Sequence, residues 1–200
     1  VAATVPSEDY FLQQQALSIY KSKMPSEATA LADALRMIEK LAPDGESNDP
    51  ETLGLTGAIY KRMWLANSDI ECLKRAIKYY EKGFQIRNDY YTGENYALCL
   101  DMMSAVEEDD DEKTYYLIAA KKARKQIIKI LEDVEDQVED GNGGVEIKWA
   151  LATLSNCYFG LGDDEKGEKF EALFLALAEA RWEKDTFNDN KEKLMELTRS

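Results

Sequence analysis

Lys61, Arg62, Lys74, Arg75 and Lys78 crowd one short stretch of a chain that carries 25 basic against 39 acidic residues, a formal net charge of −14. Clustered ammonium and guanidinium groups make charge-assisted hydrogen bonds to anions, so this stretch suits an acidic partner segment, with an ordinary solvated helix face as the plain alternative. Trp64 stands beside the cluster as an aromatic anchor. A second polar-aromatic string, NDYYTGEN from Asn88 to Asn95, presents Tyr91 and Asn95 as groups able to read a peptide backbone or side chain. Lys148 and Trp149 extend the same expected groove. The candidate partner-binding set is therefore Lys61, Arg62, Trp64, Tyr91, Asn95, Lys148 and Trp149. For the tyrosines, filling the seam between helices is the competing role.

Catalysis has little to work with. The absence of histidine removes the commonest general base, the Ser-His and Cys-His pairs, and most zinc or iron sites. Cys72, Cys99 and Cys157 are isolated within apolar stretches, with no CxxC spacing, and read as buried thiols of a reducing, cytoplasmic compartment. GNGG, Gly141 to Gly144, lacks the Lys-Ser/Thr of a phosphate loop and reads as a turn using left-handed backbone. The acidic run EEDDDE, Glu107 to Glu112, lacks the alternating ligands and bend glycine of a calcium loop, and is expected to be a solvated loop. Glu132, Asp133, Glu135 and Asp136 form a second acidic cluster, best suited to solubility. No catalytic residue, metal or cofactor is expected.

Charge and hydropathy narrow the partners. A net −14 repels phosphate backbones and anionic membrane surfaces, which argues against nucleic acid. No run approaches the roughly 18 apolar residues of a membrane helix. The chain starts with Val and reads as a fragment of a longer protein. A protein partner or a neighbouring effector domain remains, alongside a small ligand bound between helices.

The elements that must position these residues are helical throughout. Leu12, Ala16, Ile19 and Tyr20, then Leu31, Ala34, Leu35, Ile38 and Leu41, make two apolar faces around Met24-Pro25, a first hairpin within 1–43. PDGESNDP, Pro43 to Pro50, is a loop, and its Asp49-Pro50 caps and opens a third helix. There Leu55, Ile59 and Met63 make one stripe and Gly57, Tyr60 and Trp64 the next, covering more than half the circumference. Ser68 and Glu71 read as a capping box for a fourth helix with Ile70, Leu73, Ile77, Tyr80 and Phe84 inward. A fifth helix is expected over about 92–104. A single long one follows over 113–138, its apolar face interrupted by Arg124. Ile147, Leu151, Leu154, Tyr158 and Leu161 mark a seventh helix, and Phe170, Leu173, Phe174 and Leu177 an eighth. A cap over 185–198 completes about nine.

Gly57 and Tyr60, then Ala76, Tyr80 and Gly83, fall at the small-and-aromatic spacing of tetratricopeptide-like repeats, whose small residues let helices approach closely. The fold class is thus all-α, an α-solenoid of tetratricopeptide-like hairpins. One domain covers 1–200, with repeat-like hairpins over 50–181 and a concave surface from the third, fifth and seventh helices.

DPETLGLTGAIYKRMW, Asp49 to Trp64, followed by RAIKYYEKGF, Arg75 to Phe84, and NDYYTGENYA, Asn88 to Ala97, resembles the tetratricopeptide-like TRAF-binding region of the apoptosis signal-regulating kinases, and more nearly its bacterial counterparts. The resemblance implies a non-catalytic, regulatory helical-repeat region of a larger signalling protein that holds partners and controls a neighbouring effector. In the kinases the implied partners are TRAF adaptors. No catalytic residue carries over.

Overall fold

Helix caps and apolar stripes divide the described residues into a succession of α-helices. The computed structural model describes residues 7–41, 47–139 and 144–199, and among them there is no strand. Two compact units result, 1–87 and 88–200.

In the first unit, α1 (Glu8–Ser22) pairs with α2 (Glu27–Ile38), and α3 (Pro50–Asn67) with α4 (Ile70–Arg87). The expected stripes meet: Ala16, Leu31, Ala34, Ile38, Leu55 and Ile59 form one buried cluster, with Tyr20, Leu35 and Met63 packed on it. Asp49 caps α3 by accepting from the Thr52 amide at 2.8 Å, and Gln13 ties α1 to that cap by donating to Asp49 Oδ2 at 2.6 Å. Every residue of α3 from Thr52 to Tyr60 is buried, so its first half is covered around the whole circumference. Gly57 makes this possible, because a Cβ there would stand 3.0 Å from the Tyr80 ring.

The capping box expected at Ser68 is corrected. Ser68 adopts φ 57° and closes α3, its N–H bonding the Trp64 carbonyl at 2.8 Å, while Asp69 accepts from the Glu71 amide at 3.1 Å. A connection this short leaves Ser68 to end one helix, and the next residue starts the other.

The second unit comprises α5 (Tyr90–Val106), α6 (Asp110–Ile130), α7 (Val134–Glu139), α8 (Val145–Leu161), α9 (Asp164–Leu177) and α10 (Arg181–Thr198). α5 packs on α6, α8 on α9, and α10 lies along α8 and α5. Phe174 and Phe187 meet at 4.9 Å between ring centroids, and Tyr158 stacks on Phe170 at 5.5 Å. Helices α5 and α10 start earlier than the apolar pattern suggests. Asp89 caps α5 through the Thr92 amide at 3.0 Å, and Glu183 folds back to accept from the Ala180 amide at 3.0 Å.

Two expectations about the acidic residues are also corrected. The run at 107–112 is a loop only over 107–109: Asp109 accepts from the Glu112 amide at 2.9 Å, and Asp110, Asp111 and Glu112 occupy the first turn of α6. Carboxylates are favoured there by the positive end of the helix dipole. The single long helix over 113–138 is broken at 131–133. Continuation would set Glu132, Asp133, Glu135 and Asp136 against the negative end of one helix, whereas a restart puts Glu135 and Asp136 in the first turn of α7. Leu131 and Val134 stay buried through the break, which preserves the apolar periodicity. Of the GNGG turn, Gly141 to Gly143 lie outside the described residues, and Gly144, at φ −65°, stands at the N-terminus of α8.

Candidate functional site

In the first unit the cations lie over tyrosine rings. Tyr60 and Tyr79, 5% and 2% exposed, stack at 5.7 Å with planes 5° apart. Arg75 sits 5.4 Å from the Tyr60 centroid and donates to its hydroxyl at 2.9 Å, and Lys78 lies 5.5 Å from Tyr79. Lys61 lies 5.9 Å from the Tyr80 ring, and Arg62 reaches Tyr20 at 6.0 Å and Glu27 at 3.7 Å. The electron-rich faces of these rings, buried except for the half-buried Tyr20, thus hold positive side chains of two helices in place, each contact contributing about 0.5–1 kcal/mol. Arg75 and Lys78 are exposed, Lys61 and Arg62 half-buried. Trp64 is half-buried near the end of α3, where its carbonyl accepts from Ser68.

The other candidate residues belong to the second unit. Tyr91 is 52% exposed at the start of α5, and Asn95 uses its side-chain amide to donate to the Tyr91 carbonyl at 2.9 Å. Lys148 is mostly buried in an ion pair with Glu183, whose other oxygen caps α10; the lysine therefore ties α8 to α10. The Glu183 carboxyl is held below its ordinary value chiefly by the hydrogen bond from Lys148, with the Ala180 amide adding to it. Trp149 is half-buried, 5.8 Å from Phe174 and 6.0 Å from Trp182, which is 61% exposed.

Sequence reasoning missed the polar centre of the second unit. Arg124 and Asp101 are 3% and 2% exposed and pair directly, Nη1 donating to Oδ1 at 3.3 Å and Nη2 to Oδ2. Burial pushes the Asp101 carboxyl up from its ordinary value, and the guanidinium pulls it back. Gly160 makes room for the pair, since a Cβ there would fall 2.3 Å from Arg124 Nε. Glu94 makes a second link, accepting from Thr153 at 2.5 Å and Asn156 at 2.8 Å. The available signal was a charge on each of two apolar faces: Arg124 on α6, and Asp101 in LCLDMM on α5.

The Arg124–Asp101 pair borders a cavity of about 610 Å³, walled by α6, the C-terminal ends of α5 and α8, and the last residues of α10. Lys113, Lys121 and Arg199 also line it, with Leu117, Phe159 and Leu197 between them.

All three cysteines are buried thiols. Burial raises Cys157 well above the ordinary thiol value, and raises Cys72 with a further contribution from Asp69. Because the thiolate is the reactive form, a chromogenic aromatic disulfide is expected to release less than one equivalent from the native chain within minutes, and all three after unfolding. Rapid native release would contradict the burial.

A family model described as tetratricopeptide repeats-sensor (TPR-S) matches residues 1–100. Neither the curated proteins nor the solved structures gave a match. The family match spans half of the 200 residues and includes α1 to α4, the helical hairpins that carry the cation–tyrosine array. The chain belongs to the tetratricopeptide repeats-sensor family.

Proposed function

We propose that this chain is a non-catalytic protein-interaction and regulatory module of a signalling protein, holding a partner protein or a neighbouring effector domain. The observation that carries this is the array of Lys61, Arg62, Arg75 and Lys78 over Tyr80, Tyr20, Tyr60 and Tyr79 within the family-matched residues. Cations held in place over tyrosine rings lose less side-chain freedom on meeting a carboxylate, which favours an acidic segment of the partner. Trp64 contributes an aromatic contact beside them. In the second unit Tyr91 is the exposed aromatic contact and Asn95 stands one turn along, while Lys148 and Trp149 support the surface through Glu183 and Trp182.

The resemblance to the TRAF-binding region of the apoptosis signal-regulating kinases and its bacterial counterparts supports a place inside a larger signalling protein. Buried, reduced thiols support a cytoplasmic setting. No helix among the described residues is long and apolar enough to cross a membrane.

Alanine at both Lys61 and Arg62 is expected to reduce severalfold the recovery of the partner or effector domain in a pull-down from the full-length protein's own cell. The circular dichroism spectrum should stay unchanged, because an exposed pair such as Arg62–Glu27 stabilises a fold by at most about 1 kcal/mol. Unchanged recovery removes the array as the contact surface.

A second function, a small-ligand sensor that regulates an attached effector, is favoured by the cavity of about 610 Å³ in the second unit, a volume typical of ligand sites.

A further inference from the structure

We propose that this cavity binds an elongated organic dianion with an apolar middle; the proposal rests on the sensor function above. Lys113, Leu117, Lys121 and Arg124 follow one another on α6 at steps of four, four and three, so one face of the helix lines the cavity. One of its cations is already settled: Arg124 is neutralised by Asp101 in a buried pair. Lys113 and Lys121 are exposed, and neither is ion-paired among the described residues. They stand about 12 Å apart along the helix axis at 1.5 Å per residue. Leu117 lies between them, and Phe159, Leu161 and Leu197 supply further apolar wall.

The cations exceed what the backbone requires. Helices α5, α8 and α10 turn C-terminal ends toward the cavity, each worth about half a negative charge, or about −1.5 together. Some of their last carbonyls are already occupied: those of Met103, Phe159 and Met195 accept from the Glu107, Gly162 and Arg199 amides. Against this stand Lys113, Lys121 and Arg199, whose link to Asp164 is an exposed, weak pair that a ligand can displace. A positive excess in a chain of net charge −14 selects an anion. Its spread along α6 selects one with two separated acidic groups, and the leucines and Phe159 select the apolar chain between them.

The test uses three probes of one length: decanedioate, its neutral diamide and the matching decane diamine. Each is titrated into the whole chain with amide-resolved NMR, reading Gly160 and Gly162, and into the Lys113→Gln/Lys121→Gln variant checked by circular dichroism. Decanedioate is expected to saturate the wild-type shifts, to bind most tightly of the three, and to weaken about tenfold in the variant and further with added salt. Equal or tighter binding by the diamide or diamine, or decanedioate binding unchanged in the variant, overturns the anion class and leaves the ligand cavity standing. No response to any probe at millimolar concentration overturns both.

Discussion

Arg124→Ala is expected to lower the free energy of unfolding by about 3–5 kcal/mol, because it leaves the Asp101 carboxylate 2% exposed and without its counter-ion. Asp101→Ala should cost a similar amount by stranding the guanidinium. The double variant Asp101→Leu/Arg124→Met should recover much of either loss, since replacing a whole buried pair with apolar groups is often near neutral. The single Arg124 variant also carries a pH signature. Burial raises the folded-state pKa of Asp101, and the guanidinium that opposed it is gone. A carboxyl whose folded pKa lies above its unfolded one binds its proton more tightly when folded. Its penalty is therefore full above the folded pKa and shrinks as the pH falls through it. Urea melts should show a larger deficit at about pH 8 than at about pH 5. Equal stability of Arg124→Ala and wild type would show that the pair does not hold α5 to α6.

Gly57→Leu should destabilise by about 2–3 kcal/mol even though leucine gains about 0.8 kcal/mol of helix propensity over glycine. The site has no slack. The first side-chain carbon alone would stand 3.0 Å from Tyr80, whose ring is 0% exposed and carries Lys61 on it. Gly57→Ala is the control: one methyl meets that contact with a similar propensity gain, so its net effect should stay under about 1 kcal/mol. A leucine variant as stable as wild type would mean that α3 and α4 do not approach through this position.

The sequence carries the pairing of helices in the first unit almost completely. Asp49-Pro50 announces a helix start through chemistry local to the turn, and the stripes through Ala16, Ile38 and Ile59 are periodic over several turns. Gly57 and Tyr80 were recognisable by their spacing, and they meet in the fold. Boundaries were harder where neighbouring residues compete for one role. Ser68 and Asp69 can both cap a helix, and only the left-handed backbone at Ser68 decides between them. An apolar period cannot report the break after Ile130, because Leu131 and Val134 keep facing inward across it. The polar centre was least legible. Arg124 stood out as a charge on an apolar face, yet its partner lies 23 positions earlier on another helix, and periodicity within one helix carries no record of such a pairing. Lys61, Arg62 and Trp64 could be nominated from composition, whereas the rings beneath Lys61 and Arg62 became visible only once α3 lay beside α4 and α1.

Fluorescence anisotropy with a labelled peptide rich in glutamate and aspartate, titrated with the whole chain and with its Lys61→Ala/Arg62→Ala variant, tests the central claim most directly. Saturable binding by the wild type is expected, weakened about tenfold in the variant and falling as salt is raised. The same affinity in both proteins, or equal binding of a lysine-rich peptide, would contradict an interaction module built on the cation–tyrosine array.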